Sequence, residues 1–158
     1  METIILILTV FVLYITALIA CERSIIYHPS SYPDGLWEPE TFGVKVEDVF
    51  FQSEDGTKLH GWFIPVEGAL ATLLWFHGNA GNLTHRLENI IRLQVLKLNV
   101  FIFDYRGYGK SEGQPNEQGI YLDSLAAYEA LVQNKNISPD YLFLFGRSLG
   151  GGVRLRLP

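Results

Sequence analysis

The chain has 158 residues, 48% hydrophobic and 18% charged, with 12 basic against 17 acidic side chains and a formal net charge of −5. That length holds one globular domain at most, the composition excludes a disordered chain, and the acidic balance argues against a nucleic-acid partner. One cysteine excludes a disulfide framework and a thiolate zinc cluster, and the four histidines (His28, His60, His77 and His85) form no H-E-x-x-H pair.

Residues 1–21 are read as a membrane anchor or signal segment. Thr3 to Cys21 is 19 residues without a charge, and as a helix it would reach roughly 28 Å, close to the ~30 Å hydrocarbon thickness of a bilayer. This predicts a single N-terminal span through residues 3–21, with lipid as a partner. Two alternatives are export through a cleaved signal peptide, which would lack Lys or Arg in its n-region, and lipoprotein processing at Leu18-Ile19-Ala20-Cys21, which resembles a bacterial lipobox. Arg23 alone does not set the orientation. Residues 22–42 carry Pro29, Pro33 and Pro39 and read as an extended connector, with His28 in a packing or solvated role.

Residues 43–158 change pattern. Val44, Val46 and Val49-Phe50-Phe51 lead through Glu54-Asp55-Gly56 to Leu59, Trp62 and Ile64, which predicts a hairpin with an Asp-Gly turn. His60 is expected on its exposed face. Ala71–Phe76, Val100–Phe103 and Tyr141–Phe145 are short continuous apolar runs, as in strands buried on both faces. Between them, Leu83, Leu87, Ile90, Ile91, Val95 and Leu98 predict a helix N-capped by Asn82, with His85 on its surface, and Tyr121, Leu125, Tyr128 and Val132 predict a second helix. Alternating strands and helices imply an α/β fold in which parallel strands follow the antiparallel hairpin.

Three segments carry chemistry. Gly146-Arg147-Ser148-Leu149-Gly150 follows the third buried strand. G-x-S-x-G in that place is a nucleophile elbow, a strained turn that lifts a serine Oγ above the sheet, with Gly146 and Gly150 clearing the neighbouring backbone. His77-Gly78-Asn79-Ala80-Gly81-Asn82 follows the first buried strand, where a loop can supply a preorganised backbone N–H to a developing oxyanion. Asp104-Tyr105-Arg106-Gly107-Tyr108-Gly109-Lys110-Ser111 follows the second. A phosphate-binding loop would need glycine five positions before Gly109, where Asp104 stands, so a bracing loop is expected instead.

Together these loops resemble the α/β-hydrolase family, and within it a membrane-anchored, serine-aminopeptidase-like branch that includes acyl-ester and acyl-protein thioesterases. The resemblance covers residues 23–151. It implies an eight-stranded, mostly parallel sheet of which this chain supplies five strands. It also implies a nucleophile at Ser148, oxyanion donors at Asn79 and Leu149, and structural support from His77, Gly78, Asp104, Arg106, Gly107, Gly109, Gly146 and Gly150. No metal or organic cofactor is implied, and the substrate would be a small molecule or an acylated partner bearing an ester, thioester or amide.

In that family the acid and base follow the nucleophile in the order Ser…Asp/Glu…His. Leu149 to Pro158 contains no Asp, Glu or His. The sequence therefore reads as a hydrolase domain truncated before its acid and base and nearly inactive as it stands. The alternative is a non-catalytic truncated product, either a pseudogene remnant or a hydrolase-like binding module. The alternation of Arg154 and Arg156 with apolar residues also has period two where a helix should follow the elbow. Tyr141–Phe145 is expected to be an open, aggregation-prone sheet edge.

Overall fold

The computed structural model describes residues 2–155, apart from the side chains of residues 19, 20 and 22. Helix α1 runs over Glu2–Ile26. Ten of the eleven residues from Ile4 to Tyr14 are long apolar side chains, all more than half exposed, so no single face of α1 packs on the domain. Among the described residues no helix is long and apolar enough to cross a membrane. Ile19 and Ala20 of the lipobox-like segment fall outside the described side chains.

The connector is more ordered than its prolines foretell. It contributes a two-residue strand β1 (His28–Pro29) and a short 3-10 turn at Pro39–Phe42. Then come β2 (Glu47–Gln52) and β3 (Lys58–Ile64), the expected hairpin, whose turn places Gly56 at φ +87°. Next are β4 (Ala71–Phe76), β5 (Ala80–Gly81), α2 (Leu87–Leu93), β6 (Leu98–Asp104), α3 (Glu117–Glu129), β7 (Leu142–Gly146) and α4 (Leu149–Arg154).

Five strands form one sheet in the order β2-β3-β6-β4-β7. The β2–β3 and β3–β6 pairs are antiparallel, and β6–β4 and β4–β7 are parallel. Successive residues of a strand face opposite sides, and here each side has its own core. Leu74, Phe76, Phe101 and Phe103 pack with Ile120 and Ala127 of α3 and Val153 of α4, while Leu73, Trp75, Val100 and Ile102 pack with Leu87 and Ile90 of α2. Both central strands thus lie between helices, which is why their sequences are unbroken apolar runs.

Three local expectations are revised. The helix expected over residues 83–98 is a 3-10 turn at Leu83–Arg86, capped by Asn82, followed by the shorter α2. His60 is buried, not exposed: the rings of Trp37 (5.9 Å) and Phe50 (4.9 Å) cover it, and its Nε2 meets Asp48 Oδ1. Burial lowers its pKa, against the pull of that carboxylate. The two-residue alternation does not prevent α4, which continues through Arg154 because Val153 turns into the core. Residues 156–158 lie outside the described chain.

β7 is an edge of the sheet, and Tyr141, Phe143 and Phe145 are 62%, 58% and 44% exposed. An unpaired edge bearing aromatic side chains templates strand addition. The detergent-solubilised chain is expected to run as oligomers in sedimentation velocity, and Phe143→Lys to shift it toward monomer. A monomeric parent chain would contradict this.

Candidate active site

The elbow begins where β7 ends. Ser148 sits at φ +55°, ψ −120°, between β7 and α4, and its side chain is exposed. A non-glycine residue in such a conformation stores about 1–3 kcal/mol of strain and persists only when its surroundings over-determine it. Those surroundings are backbone. A Cβ on Gly150 would lie 2.0 Å from Phe76 O, and one on Gly146 would lie 2.2 Å from Gly150 O. Arg147 N–H donates to Phe76 O at 3.2 Å, tying the turn to the end of β4.

The loop after β4 faces this turn. A Cβ on Gly78 would lie 3.6 Å from Ser148 Cβ, so the two segments are in van der Waals range. His77 is buried, and its Nδ1–H donates to Gly78 O at 2.7 Å. Its Nε2 lies 3.3 Å from Asp104 Oδ1 without the alignment of a hydrogen bond. Asn79 Nδ2 donates to Ile26 O, the last carbonyl of α1, at 2.7 Å. Among the described residues nothing accepts from the N–H of Asn79 or of Leu149.

The loop after β6 braces the other two. Asp104 is buried and its Oδ1 accepts from Leu83 N–H at 2.7 Å, while Gly109, at φ +50°, passes so close that a Cβ would lie 1.9 Å from Asp104 Oδ2. Gly107, at φ +81°, turns the chain under Pro115, whose Cδ a Cβ would meet at 2.7 Å. Arg106 forks onto the buried Asp123 of α3 through Nε (3.1 Å) and a terminal nitrogen (2.7 Å), and its other terminal nitrogen reaches Asp55 in the hairpin turn at 2.7 Å. Burial opposes the Arg106 charge, but these carboxylates outweigh it and raise its pKa further. In return the hydrogen bond from Arg106 holds Asp55 down to about 2. Gly119 of α3 leaves room for the fork, since a Cβ there would lie 2.3 Å from Arg106 Nε.

All three loops named from the sequence meet at this end of the sheet. The connector's part was missed. β1 pairs in parallel with β5, His28 N–H donates to Asn79 O at 3.0 Å, and Tyr32 N–H donates to Gly109 O at 2.8 Å. The chain at residues 28–32 therefore runs between the loops after β4 and β6. Two strand residues carry no periodicity, so no sequence pattern announced the pairing. Asn82 is buried, with Nδ2 donating to Ser30 O and Asp34 O, which leaves no room for a glycan even though Asn82-Leu83-Thr84 has the N-x-[ST] form of a glycosylation acceptor. Among the described residues no cluster of His, Cys, Asp and Glu is placed to hold a metal ion.

Known proteins share this architecture. The Pyrococcus furiosus esterase Pf2001 superposes with a TM-score of 0.68 at 29% identity, over 83% of this chain and 50% of that one. The class is therefore the α/β-hydrolase fold. The description of the serine aminopeptidase S33 family matches residues 68–157, and the chain belongs to that family. Among curated relatives, the α/β hydrolase domain-containing protein WAV2 of Arabidopsis thaliana is 43% identical over 148 residues, 88% of this chain and 47% of that protein. The uncharacterized protein YfhR of Escherichia coli K12 is 40% identical over 126 residues, 76% of this chain and 44% of that protein. The chain thus spans about half the length of the curated relatives it matches.

Proposed function

We propose that this chain carries the nucleophile and oxyanion-binding half of a serine hydrolase that cleaves an ester, thioester or amide through an acyl-Ser148 intermediate. The observation that carries the reading is the strained Ser148, at φ +55° with an exposed side chain, directly against Gly78. In the reaction Ser148 Oγ attacks the acyl carbonyl, and the oxygen that gains charge is met by the N–H groups of Asn79 and Leu149. The leaving group departs with a proton, and water then releases the acyl group. Fixed donors of this kind are worth about 10²–10³ in kcat each.

The serine proton needs a base. Loss of the base from a serine triad costs roughly 10⁶-fold in kcat, and no Asp, Glu or His follows Ser148 in residues 149–158. The 158 residues alone are therefore expected to turn over p-nitrophenyl esters at most marginally above a Ser148→Ala variant. Robust Ser148-dependent turnover by this chain would overturn that expectation.

Residues 3–21 are proposed to attach the protein to lipid. The support is the run of exposed apolar side chains from Ile4 to Tyr14, since a helix apolar on all sides belongs in a core or a membrane. Vesicle flotation tests it: the chain should rise with lipid, and a chain that stays in the dense fraction refutes the attachment. An acylated substrate would then be met at the membrane.

A further inference from the structure

We propose that Tyr105 and Tyr108 are positioning residues which, with His77, clamp three successive carbonyls of the loop after β4 and thereby set the direction of the Asn79 N–H. The proposal rests on the reading of Asn79 as an oxyanion donor. Tyr105 Oη–H donates to His77 O at 3.2 Å, His77 Nδ1–H donates to Gly78 O at 2.7 Å, and Tyr108 Oη–H donates to Asn79 O at 2.8 Å. His28 N–H adds a second donor to Asn79 O at 3.0 Å.

A trans peptide is planar, with its C=O and N–H pointing in opposite directions. The carbonyl of Gly78 belongs to the same plane as the N–H of Asn79, so holding the first aims the second. Glycine leaves its own φ and ψ soft, and no side chain at residue 78 prevents that plane from flipping. The tyrosine hydroxyls hold the planes on either side, 77–78 and 79–80, so a flip of the middle plane has no slack to use. Both tyrosines are fully buried, and their rings pack against His77 at 4.7 and 5.4 Å. Burial pushes both hydroxyls above their ordinary pKa, so they remain neutral donors at any physiological pH. The result is one unclaimed N–H among clamped carbonyls, which is what a preorganised oxyanion donor requires.

The test is backbone ¹⁵N relaxation dispersion on the whole chain in detergent micelles, comparing it with a Tyr105→Phe/Tyr108→Phe variant that loses only the two hydroxyls. The parent should show no microsecond–millisecond exchange at Gly78 and Asn79. Each lost hydrogen bond should raise the flipped population roughly 5–10-fold, bringing exchange into view at residues 77–80 while Leu73, Leu74 and Phe101 keep their shifts. No exchange at residues 77–80, or exchange spread equally over β4 and β6, would overturn the proposal. His77→Leu and His77→Asn supply an independent arm, because the asparagine amide can restore a donor near Gly78 O. Exchange at residues 78–79 should appear in the leucine variant and be suppressed in the asparagine variant, and equal behaviour of the two would count against the clamp. This readout does not need a reactive serine, so failure of Ser148 to acylate would remove the catalytic reading without touching the clamp.

Discussion

Gly150→Ala is expected to destabilise the chain by roughly 3 kcal/mol or more and to lower its melting temperature by roughly 6–12 °C. The added Cβ would lie 2.0 Å from Phe76 O, 2.5 Å from Phe76 C and 2.8 Å from His77 O, all backbone atoms at the end of a central strand. Backbone cannot rotate away as a side-chain tip can, so either β4 or the β7–α4 turn must move. That movement would also release the turn that holds Ser148 at positive φ. Gly152→Ala is the control within the same helix. Nothing lies within 4 Å of its Cβ position, and alanine there should be neutral or stabilising by up to about 1 kcal/mol. Circular dichroism melts of the two variants decide the matter, and equal melting temperatures would contradict this description of the elbow.

The second large effect is expected from Asp123→Ala, about 3–5 kcal/mol by the same melts. Asp123 is fully buried and takes the Arg106 backbone N–H at 2.8 Å together with its guanidinium fork. Burial raises the Asp123 carboxyl, and the hydrogen bonds from Arg106 pull against it. Removing the carboxylate leaves the Arg106 side chain, itself only 8% exposed, with Asp55 at the rim as its sole carboxylate partner among the described residues. A buried pair is weak evidence of stability when both partners are replaced together, so Arg106→Met combined with Asp123→Leu should cost less than Asp123→Leu alone. A cost below about 1 kcal/mol for Asp123→Ala would show that the fork is solvated and not a structural link between the loop after β6 and α3.

The sheet and its three loops were legible because their signals are local. Residues buried on both faces leave unbroken apolar runs, and Ala71–Phe76 and Val100–Phe103 show them. A glycine-serine-glycine turn after such a run leaves few alternatives at Ser148. What escaped depends on pairings distant in sequence. His60 lies in a strand whose cover comes from Trp37, and no pattern within residues 58–64 records that tryptophan. The connector looked irregular because prolines remove amide donors, yet His28 and Tyr32 still donate to the loops after β4 and β6. Tyr105 and Tyr108 lie in a segment expected only to brace the site, with no pattern that marks their hydroxyls. Their hydroxyl work appears only once residues 77–79 lie beside them.

The reactivity of Ser148 tests the acyl-enzyme function most directly. The whole chain should be incubated with a fluorophosphonate probe and excess imidazole as an external base, then digested and mapped by mass spectrometry beside a heat-denatured control. The arrangement predicts a slow, single adduct on Ser148 that is absent from Ser148→Ala and from the denatured chain. Absence of that adduct in a chain that melts cooperatively, or labelling of its serines no more selective than in the denatured control, would contradict it.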